Sequence, residues 1–198
     1  MAQCFEEITP DLADWIRQQR IFFVATAPVA AEGLINCSPK GLDTLRIVGP
    51  KEVAYLDLTG SGVETIAHVR ENGRIVLMLC ALAGPPRIVR LHGTGQIVSL
   101  QAPGSEELAK LFPVLPGARS VIRVRLKQIS DSCGFGVPRY EYLGERDAMT
   151  KWAESQRPDG LARYRFAKNA CSVDGLPAWT SQDQPTPPAP PADPDGHR

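Results

Sequence analysis

The sequence predicts a mainly β fold with flanking helices, built as a small mixed-topology β-barrel of six to seven strands. Short apolar and β-branched runs recur as far as about residue 130, with glycine or proline between them and few helical patterns. This spacing is typical of barrel hairpins and not of repeated βαβ units. With 198 residues, 43% of them hydrophobic, the chain is long enough to form one sizeable core.

The first predicted element is a short helix over residues 10–20. Its apolar side chains recur at helical spacing, and Thr9 is a suitable N-cap before a proline in the first turn. A second helix is expected after the glycine turn at residues 60–62. Strands are expected at residues 21–27, 34–37, 45–48, 53–58, 74–81, 87–100 and 120–129, with bends or bulges at Gly93 and Gly95.

Composition divides the chain into three parts. Residues 1–180 are predicted to form a single domain, with the barrel core over about residues 8–130. Residues 131–180, hereafter the C-terminal extension, are expected to be helical or irregular and to pack on the barrel, because aromatic residues are spread through them. Residues 181–198 are rich in proline and predict a disordered tail, in which His197 has no expected catalytic role.

The charge balance argues against two classes of partner. Lysine and arginine number 22, as do aspartate and glutamate, so the formal net charge is zero. Nucleic-acid surfaces and membrane-adhering patches generally need a basic excess, so neither partner is expected. The N-terminus carries acidic residues where a signal peptide would be basic and apolar, which predicts a cytoplasmic protein.

Conventional catalytic motifs are missing from the sequence. The five cysteines are scattered singly, which indicates neither a disulfide framework nor a zinc site. The sequence contains no phosphate-binding GxGxxG motif, no nucleophile elbow and no cluster with metal-ligand spacing. Any chemistry is therefore expected to come from an organic cofactor.

Two segments are compatible with a phosphate group. Residues 55–74 predict a strand, a glycine turn and a helix start, whose unpaired N–H groups can hold an anion; the alternative is an ordinary turn. Asn36, Ser38 and Lys40 occupy alternate positions of a strand, so their side chains share a face and could converge on a phosphate. Alternatively, Asn36 and Ser38 satisfy a turn and Lys40 is solvated.

Basic and imidazole side chains elsewhere give weaker signals. Arg87 and Arg90 lie at odd spacing in a strand, so at most one can serve a given site, and each is otherwise solvated or ion-paired. His92 shares a face with Arg90 and is either a general acid or base or a structural residue. His68, inside the second predicted helix, is expected to be a packing or surface residue.

Three runs taken together resemble the pyridoxamine 5′-phosphate oxidase-like family of FMN-binding split β-barrels. They are INCSPKG, then YLDLTGSGVETIAHVRENGRIVLMLC, then GPPRIVRLHGTGQIV, and the resemblance covers about residues 8–130. The later runs SCGFGVPRYEY and KNACSVDGLPAW are similar to a subgroup described only as related to the oxidase. The resemblance implies a homodimer that binds FMN in a cleft between its subunits.

The resemblance also implies which residues contact the cofactor. Lys40 takes the place of the lysine that faces the phosphate, and Glu64 and Thr65 stand where the vitamin-B6 oxidases have a basic pair. That departure leaves the phosphate to Lys40, to hydroxyl groups and to an arginine such as Arg90. The implied cofactor-binding residues are Asn36, Ser38, Lys40, Leu58, Thr59, Gly62, Thr65 and Arg90.

The function implied is that of an FMN-dependent oxidoreductase acting on an unknown small molecule, with a nicotinamide or organic electron donor. The substrate pattern of the oxidases is not recognisable after Ser130, so pyridoxamine phosphate is not the expected substrate. Two alternatives remain open: an F420-dependent reductase on the same barrel, and a non-catalytic flavin or haem binder. Cys133, in a glycine-flanked loop, either approaches the flavin or is structural, and no catalytic side chain is assigned.

Overall fold

The computed structural model describes residues 3–157 and 159–185, which form eight strands and five helices. The strands are β1 (Gln3–Phe5), β2 (Phe22–Thr26), β3 (Asn36–Lys40), β4 (Leu45–Gly49), β5 (Glu52–Leu58), β6 (Arg74–Cys80), β7 (Ile88–Ser99) and β8 (Ala118–Ser132). The helices are α1 (Pro10–Gln18), α2 (Val63–Asn72), α3 (Glu106–Ala109), α4 (Ala148–Glu154) and α5 (Gly160–Lys168).

All eight strands belong to one sheet with the order β3-β2-β6-β7-β8-β5-β4, and β1 pairs with β8. The two ends of this path, β3 and β4, follow one another in the chain but are not paired within the described residues, which gives a split barrel. The predicted mainly β class is confirmed. The expected mixed topology is wrong, because every strand pair in the described residues is antiparallel.

All seven predicted strands are present, although β3 spans Asn36–Lys40 where residues 34–37 were expected. The sequence did not predict β1. It has three residues, Gln3–Phe5, too few for an apolar pattern to show, and it forms by pairing with the end of β8. The register shift between His92 and Gly93 confirms the predicted bulge. A β-carbon on Gly93 would lie 2.3 Å from the Arg125 carbonyl oxygen, so only glycine fits there.

Successive side chains of a strand point to opposite faces of the sheet, and this alternation gives two separate apolar clusters. The main core fills the barrel and includes Val24, Tyr55, Leu77 and Leu91, which are fully buried. Helix α1 covers one part of this core, and its start is fixed by Thr9, whose hydroxyl accepts a hydrogen bond from the Leu12 N–H at 3.3 Å. A smaller cluster on the other face of β5 and β8 lies beneath α3; it contains Ala54, Leu56, Phe112 and Val121.

The C-terminal extension packs against the barrel. Trp179, 1% exposed, is part of the main core, and its backbone N–H donates to the Asn169 carbonyl at 2.9 Å. Asp183 and Gln184 are also buried, so the packed chain continues past residue 180, where the tail was expected to begin. The rest of that expected tail, residues 186–198 with His197, lies outside the described residues.

None of the five helices in the described part of the chain has the length and apolar character needed to cross a membrane.

Candidate functional site

Strand β3 presents a row of polar side chains to the inner face of the barrel. Asn36, Ser38 and Lys40 are partly buried, whereas the intervening Cys37 and Pro39 are exposed. Their partners on β2 are inward-facing residues, with Ser38 opposite the fully buried Val24. The predicted common face of these three residues is therefore present.

This row is joined to α2 by side-chain hydrogen bonds. The Asn36 amide nitrogen donates to Thr65 Oγ1 at 3.0 Å and to Thr26 Oγ1 at 3.2 Å. Ser38 Oγ donates to Asn36 Oδ1 at 2.9 Å, so both donors of the Asn36 amide and one acceptor position of its oxygen are used within the chain. His68 Nδ1 lies 3.0 Å from Thr26 Oγ1, and the His68 ring is buried, which makes it a packing residue of this network.

Lys40, at the end of β3, lies beside the turn that precedes α2. Its Nζ is 3.0 Å from the point where a β-carbon on Gly62 would stand. Burial lowers the pKa of Lys40 below its usual 10.5; the Asp57 carboxylate opposes this shift and the Arg119 guanidinium adds to it. Within residues 3–157 and 159–185 the ammonium has no hydrogen bond or ion pair.

A charged cluster lies behind the same turn. Asp57 and Arg119 form an ion pair of 2.5 Å between Oδ2 and Nε, and both side chains are completely buried. Asn169, just after α5, accepts from Arg119 Nη1 at 2.6 Å and donates to the Gly60 carbonyl at 3.2 Å. The C-terminal extension therefore contributes directly to the environment of the turn.

Arg165 of α5 adds a third cation to this region. Its Nε donates to Thr59 Oγ1 at 2.8 Å, and its Nη2 donates to the Ala118 carbonyl at 3.0 Å. Burial, with a contribution from the Arg119 charge, lowers the pKa of Arg165 to about 10, and Asp57 opposes that shift. Asp57 is thus the one carboxylate that acts on the pKa values of Lys40 and Arg165, and the region favours an anion.

The N-terminus of α2 does not offer the free N–H groups of the anion site expected there. The N–H groups of Val63, Glu64 and Thr65 donate to the carbonyls of residues 60–62 at 3.1–3.2 Å, so these donors are already used. Thr59, Gly62 and Thr65 are buried. Glu64, in the first turn of α2, accepts a hydrogen bond from the Val173 N–H of the C-terminal extension at 3.0 Å.

A cavity of about 790 Å³ opens beside Lys40. One wall is formed by residues 39–42, and the other by residues 140–149 of the C-terminal extension. Glu145 joins the two walls, because its carboxylate accepts from the Leu42 N–H at 3.2 Å and from the Tyr142 hydroxyl at 2.9 Å. Leu42 and the following Asp43 both have positive φ, at 59° and 52°, a strained conformation that often marks functional loops.

Two of the expected cofactor-binding residues lie away from Lys40. Arg90 is aligned across the sheet with Met78, Phe23 and Pro39, so strand parity places it on the face opposite Ser38. Its guanidinium donates to Ser132 Oγ at 3.1 Å. Leu58 packs against the small cluster beneath α3.

The other weaker candidates take simple structural positions. Arg87 forms an ion pair of 2.6 Å with Asp131, and its guanidinium lies 5.1 Å from the centre of the Trp15 ring. His92 and Cys133 are exposed. Arg87 is thus ion-paired, which is one of the two alternatives, solvated or ion-paired, that the sequence predicted.

Sequence reasoning did not single out the four residues of the charged cluster: Asp57, Arg119, Arg165 and Asn169. A signal was present, because Asp57 interrupts the apolar run that follows Glu52 in β5, and a buried carboxylate requires a partner. The identity of that partner depends on packing, since Arg119 is 62 residues further along the chain.

Known proteins resemble this chain in sequence and in fold. The sequence profile of the family described as pyridoxamine 5′-phosphate oxidase matches residues 8–133. The pyridoxamine 5′-phosphate oxidase family protein ustO of Aspergillus flavus is 38% identical over an alignment of 194 residues, gaps included, which covers 89% of this chain and 78% of that protein.

Two solved structures are similar to this chain at lower identity. A variant of HupZ from Group A Streptococcus is 23% identical and superposes with a TM-score of 0.50, over 63% of this chain and 99% of that one. A putative pyridoxamine 5′-phosphate oxidase of Lactobacillus delbrueckii is 16% identical with a TM-score of 0.49, over 64% of this chain and 98% of that one.

Proposed function

This chain belongs to the pyridoxamine 5′-phosphate oxidase family, and we propose that it is a flavoprotein that binds FMN beside Lys40 and uses it to oxidise or reduce a small molecule. The observation that carries this proposal is Lys40, a residue that lines a cavity of about 790 Å³ and whose largely buried ammonium, at the Gly62 turn, has no partner within the described residues. A cavity of this size suits a ligand of cofactor dimensions.

The charges around the cavity fit a phosphate group. Among the described residues, Lys40, Arg119 and Arg165 outnumber the carboxylate of Asp57 behind the Gly62 turn. The cavity lining adds two cations, Arg20 and Arg146, and two carboxylates, Glu141 and Glu145, so cations stay in excess and an anionic ligand would offset that excess. Lys40 would hold the phosphate directly, because its ammonium is a free charged donor. Arg119 and Arg165 lie behind the turn and would act only through their electrostatic field.

The remaining walls suit a planar, partly apolar ring. Pro39, Leu42, Leu82, Tyr140 and Met149 line the cavity, and two tyrosine rings in residues 140–149 provide aromatic surface. FMN supplies the electron-transfer chemistry when bound, and this chain would bind it, orient it and limit its exposure to water.

The proposal extends to the assembly. We propose a homodimer with the cofactor at the subunit interface, which would place residues of a second copy against the cavity. The exposed apolar residues Leu34 and Ile35 directly precede β3, and such exposed apolar surface is typical of interaction sites. Light scattering at micromolar concentration tests this part: a monomeric mass with FMN bound would contradict it.

A cofactor titration tests the central proposal. FMN and F420 are added separately to the purified chain, and the melting temperature and the cofactor fluorescence are followed. FMN at 100 times its Kd should stabilise the fold by about 2.7 kcal/mol. If FMN neither raises the melting temperature nor changes its own fluorescence when the chain is added, the chain does not bind FMN. A response to F420 alone would favour the reductase alternative.

Reduction of the bound flavin tests the oxidoreductase part. The FMN complex is mixed with NADH or NADPH under anaerobic conditions, and the visible absorbance of the oxidised flavin is recorded. Bleaching is expected if a nicotinamide is the donor. A flavin that stays oxidised with both nicotinamides and with a panel of organic donors would favour a binding protein without catalysis.

Lys40→Met tests the phosphate contact. Loss of one charge-assisted hydrogen bond should weaken FMN binding by about 1.5–3 kcal/mol, which is roughly 10- to 100-fold in Kd. Lys127→Met is the matched control, because Lys127 is exposed on β8 and does not line this cavity. Fluorescence titration of both variants should show a weakened Lys40→Met and an unchanged control; equal affinities would remove Lys40 from the site.

A further inference from the structure

One carboxylate oxygen of Asp57 lies near Lys40 and has no hydrogen-bond partner within the described residues. Its Oδ2 accepts from Arg119 Nε at 2.5 Å and from Ser120 Oγ at 3.3 Å. Its Oδ1 is buried and has no hydrogen-bond partner within the described residues. Oδ1 lies 2.6 Å from the point where a β-carbon on Gly62 would stand, the same point that Lys40 Nζ approaches to 3.0 Å.

We propose that Asp57 is a positioning residue, which holds the Lys40 ammonium at the Gly62 turn for an incoming phosphate. Arg119 and Asn169 keep the Asp57 carboxylate in place for that role. The identity of the phosphate rests on the proposed function, whereas the coupling between the charges stands on the geometry of the turn.

The electrostatic setting gives Asp57 this role. A lysine that loses water on burial tends to lose its proton as well, and a nearby carboxylate opposes that loss. Among the groups around Lys40, Asp57 of β5 favours the charged form, whereas Arg119 of β8 disfavours it. Tyr55 is neutral because burial raises its pKa, and Arg20, Glu145 and Arg146 line the cavity on the solvent side.

The C-terminal extension completes the chain of contacts. Asn169 accepts from Arg119 Nη1 at 2.6 Å, and Arg119 in turn holds Asp57 through Nε. The Trp179 ring packs against the same guanidinium, whose central carbon is 5.8 Å from the ring centre. Residues beyond the matched family segment, 8–133, thus fix the carboxylate that faces Lys40.

The test follows the Lys40 pKa directly, in the full chain without cofactor. The chain has six lysines, so ¹³C-lysine labelling gives few NMR signals, and Lys40→Arg identifies the one that belongs to Lys40. Asp57→Asn should lower the Lys40 pKa by about one unit or more, because the favourable carboxylate is lost. A purely structural role predicts the opposite, since a loosened turn would admit water and move the pKa up towards 10.5.

A double variant that moves the carboxylate from residue 57 to residue 169 controls for misfolding. Asp57→Asn leaves Arg119 buried without its carboxylate, and Asn169→Asp in the same chain restores one at the position that lies 2.6 Å from Nη1. Asn169→Asp also removes the donor to the Gly60 and Lys168 carbonyls, at 3.2 and 2.9 Å, so urea unfolding first establishes that the double variant is folded. The folded double variant should keep the lowered Lys40 pKa. Asp174→Asn is the matched control, because Asp174 bonds to the Leu34 N–H at 2.8 Å and not to the cluster.

A Lys40 pKa that is unchanged or raised in the folded single or double variant overturns the proposal. FMN titration at rising pH adds a second readout: the Kd of either variant should rise at a lower pH than the Kd of the wild-type chain, because Lys40 loses its charge earlier in the variants. If the wild-type chain binds no FMN, the proposed function fails, and the lysine titration still decides whether Asp57 positions Lys40.

Discussion

Residue 62 is glycine because three charged groups crowd it, and not because of its backbone conformation. Its φ is −56°, which any residue adopts, so the reason for glycine is space. Asp57 Oδ1, Lys40 Nζ and Arg119 Nη2 lie 2.6, 3.0 and 3.3 Å from the position of an added β-carbon. A methyl group there would push the three charged groups apart.

Gly62→Ala is therefore expected to destabilise the fold by about 1–3 kcal/mol, the usual cost of forcing an extra methyl group into a packed site. It should also weaken FMN binding, because Lys40 would move. Urea unfolding and FMN titration measure the two effects. Gly49→Ala is the control, since an added β-carbon at Gly49 meets nothing within 4 Å; equal stability of the two variants would contradict the crowding seen at Gly62.

The C-terminal extension is the element that most changes the interpretation of the site. It is tied to the start of α2, where Glu64 accepts from the Val173 N–H, and Asp183, which follows the extension, forms an ion pair with Arg70 near the end of the helix. Its Trp179 enters the main core between two buried arginines, with its ring 5.8 Å from the Arg119 guanidinium and 6.0 Å from that of Arg165. The extension is thus a structural part of the barrel.

Trp179→Ala should cost about 3–5 kcal/mol, as expected for removing a fully buried aromatic ring, and the two arginines beside it would lose their packing. Trp152→Ala is the comparison, because Trp152 on α4 is only partly buried and meets Tyr164 at 5.0 Å between ring centres. Chemical denaturation of both should show the larger loss for Trp179. A loss no larger than that of Trp152→Ala would mean that the extension is not part of the core.

The strands were predictable because apolar alternation is a local property of the sequence. The shared face of Asn36, Ser38 and Lys40 was predictable for the same reason. The face that Arg90 occupies relative to Lys40 was not predictable, because the register across four strands, which local patterns do not reveal, decides it. The contact between Asp57, Arg119 and Asn169 joins three distant segments, so it depends on tertiary packing alone.

The whole molecule carries a conflict between stability and ligand binding, centred on Lys40. Because its folded pKa lies below the usual 10.5, the unfolded chain binds this proton more tightly than the folded chain does. The buried charge therefore destabilises the fold fully below the folded pKa. The penalty disappears as pH rises past 10.5, where the lysine is neutral in both states.

Lys40→Met should consequently be more stable than the wild-type chain at pH 7 without cofactor, and the gap should close as pH approaches 10.5. Taking the difference between the two chains cancels other alkaline titrations, including that of Arg165, whose pKa is about 10. Urea unfolding at several pH values measures the gap. With saturating FMN the wild-type chain should be the more stable of the two at pH 7. Only in the wild-type chain does the bound phosphate offset the cost of burying the Lys40 charge. A wild-type chain that is already the more stable at pH 7 without FMN would show that Asp57 alone compensates for the burial of Lys40.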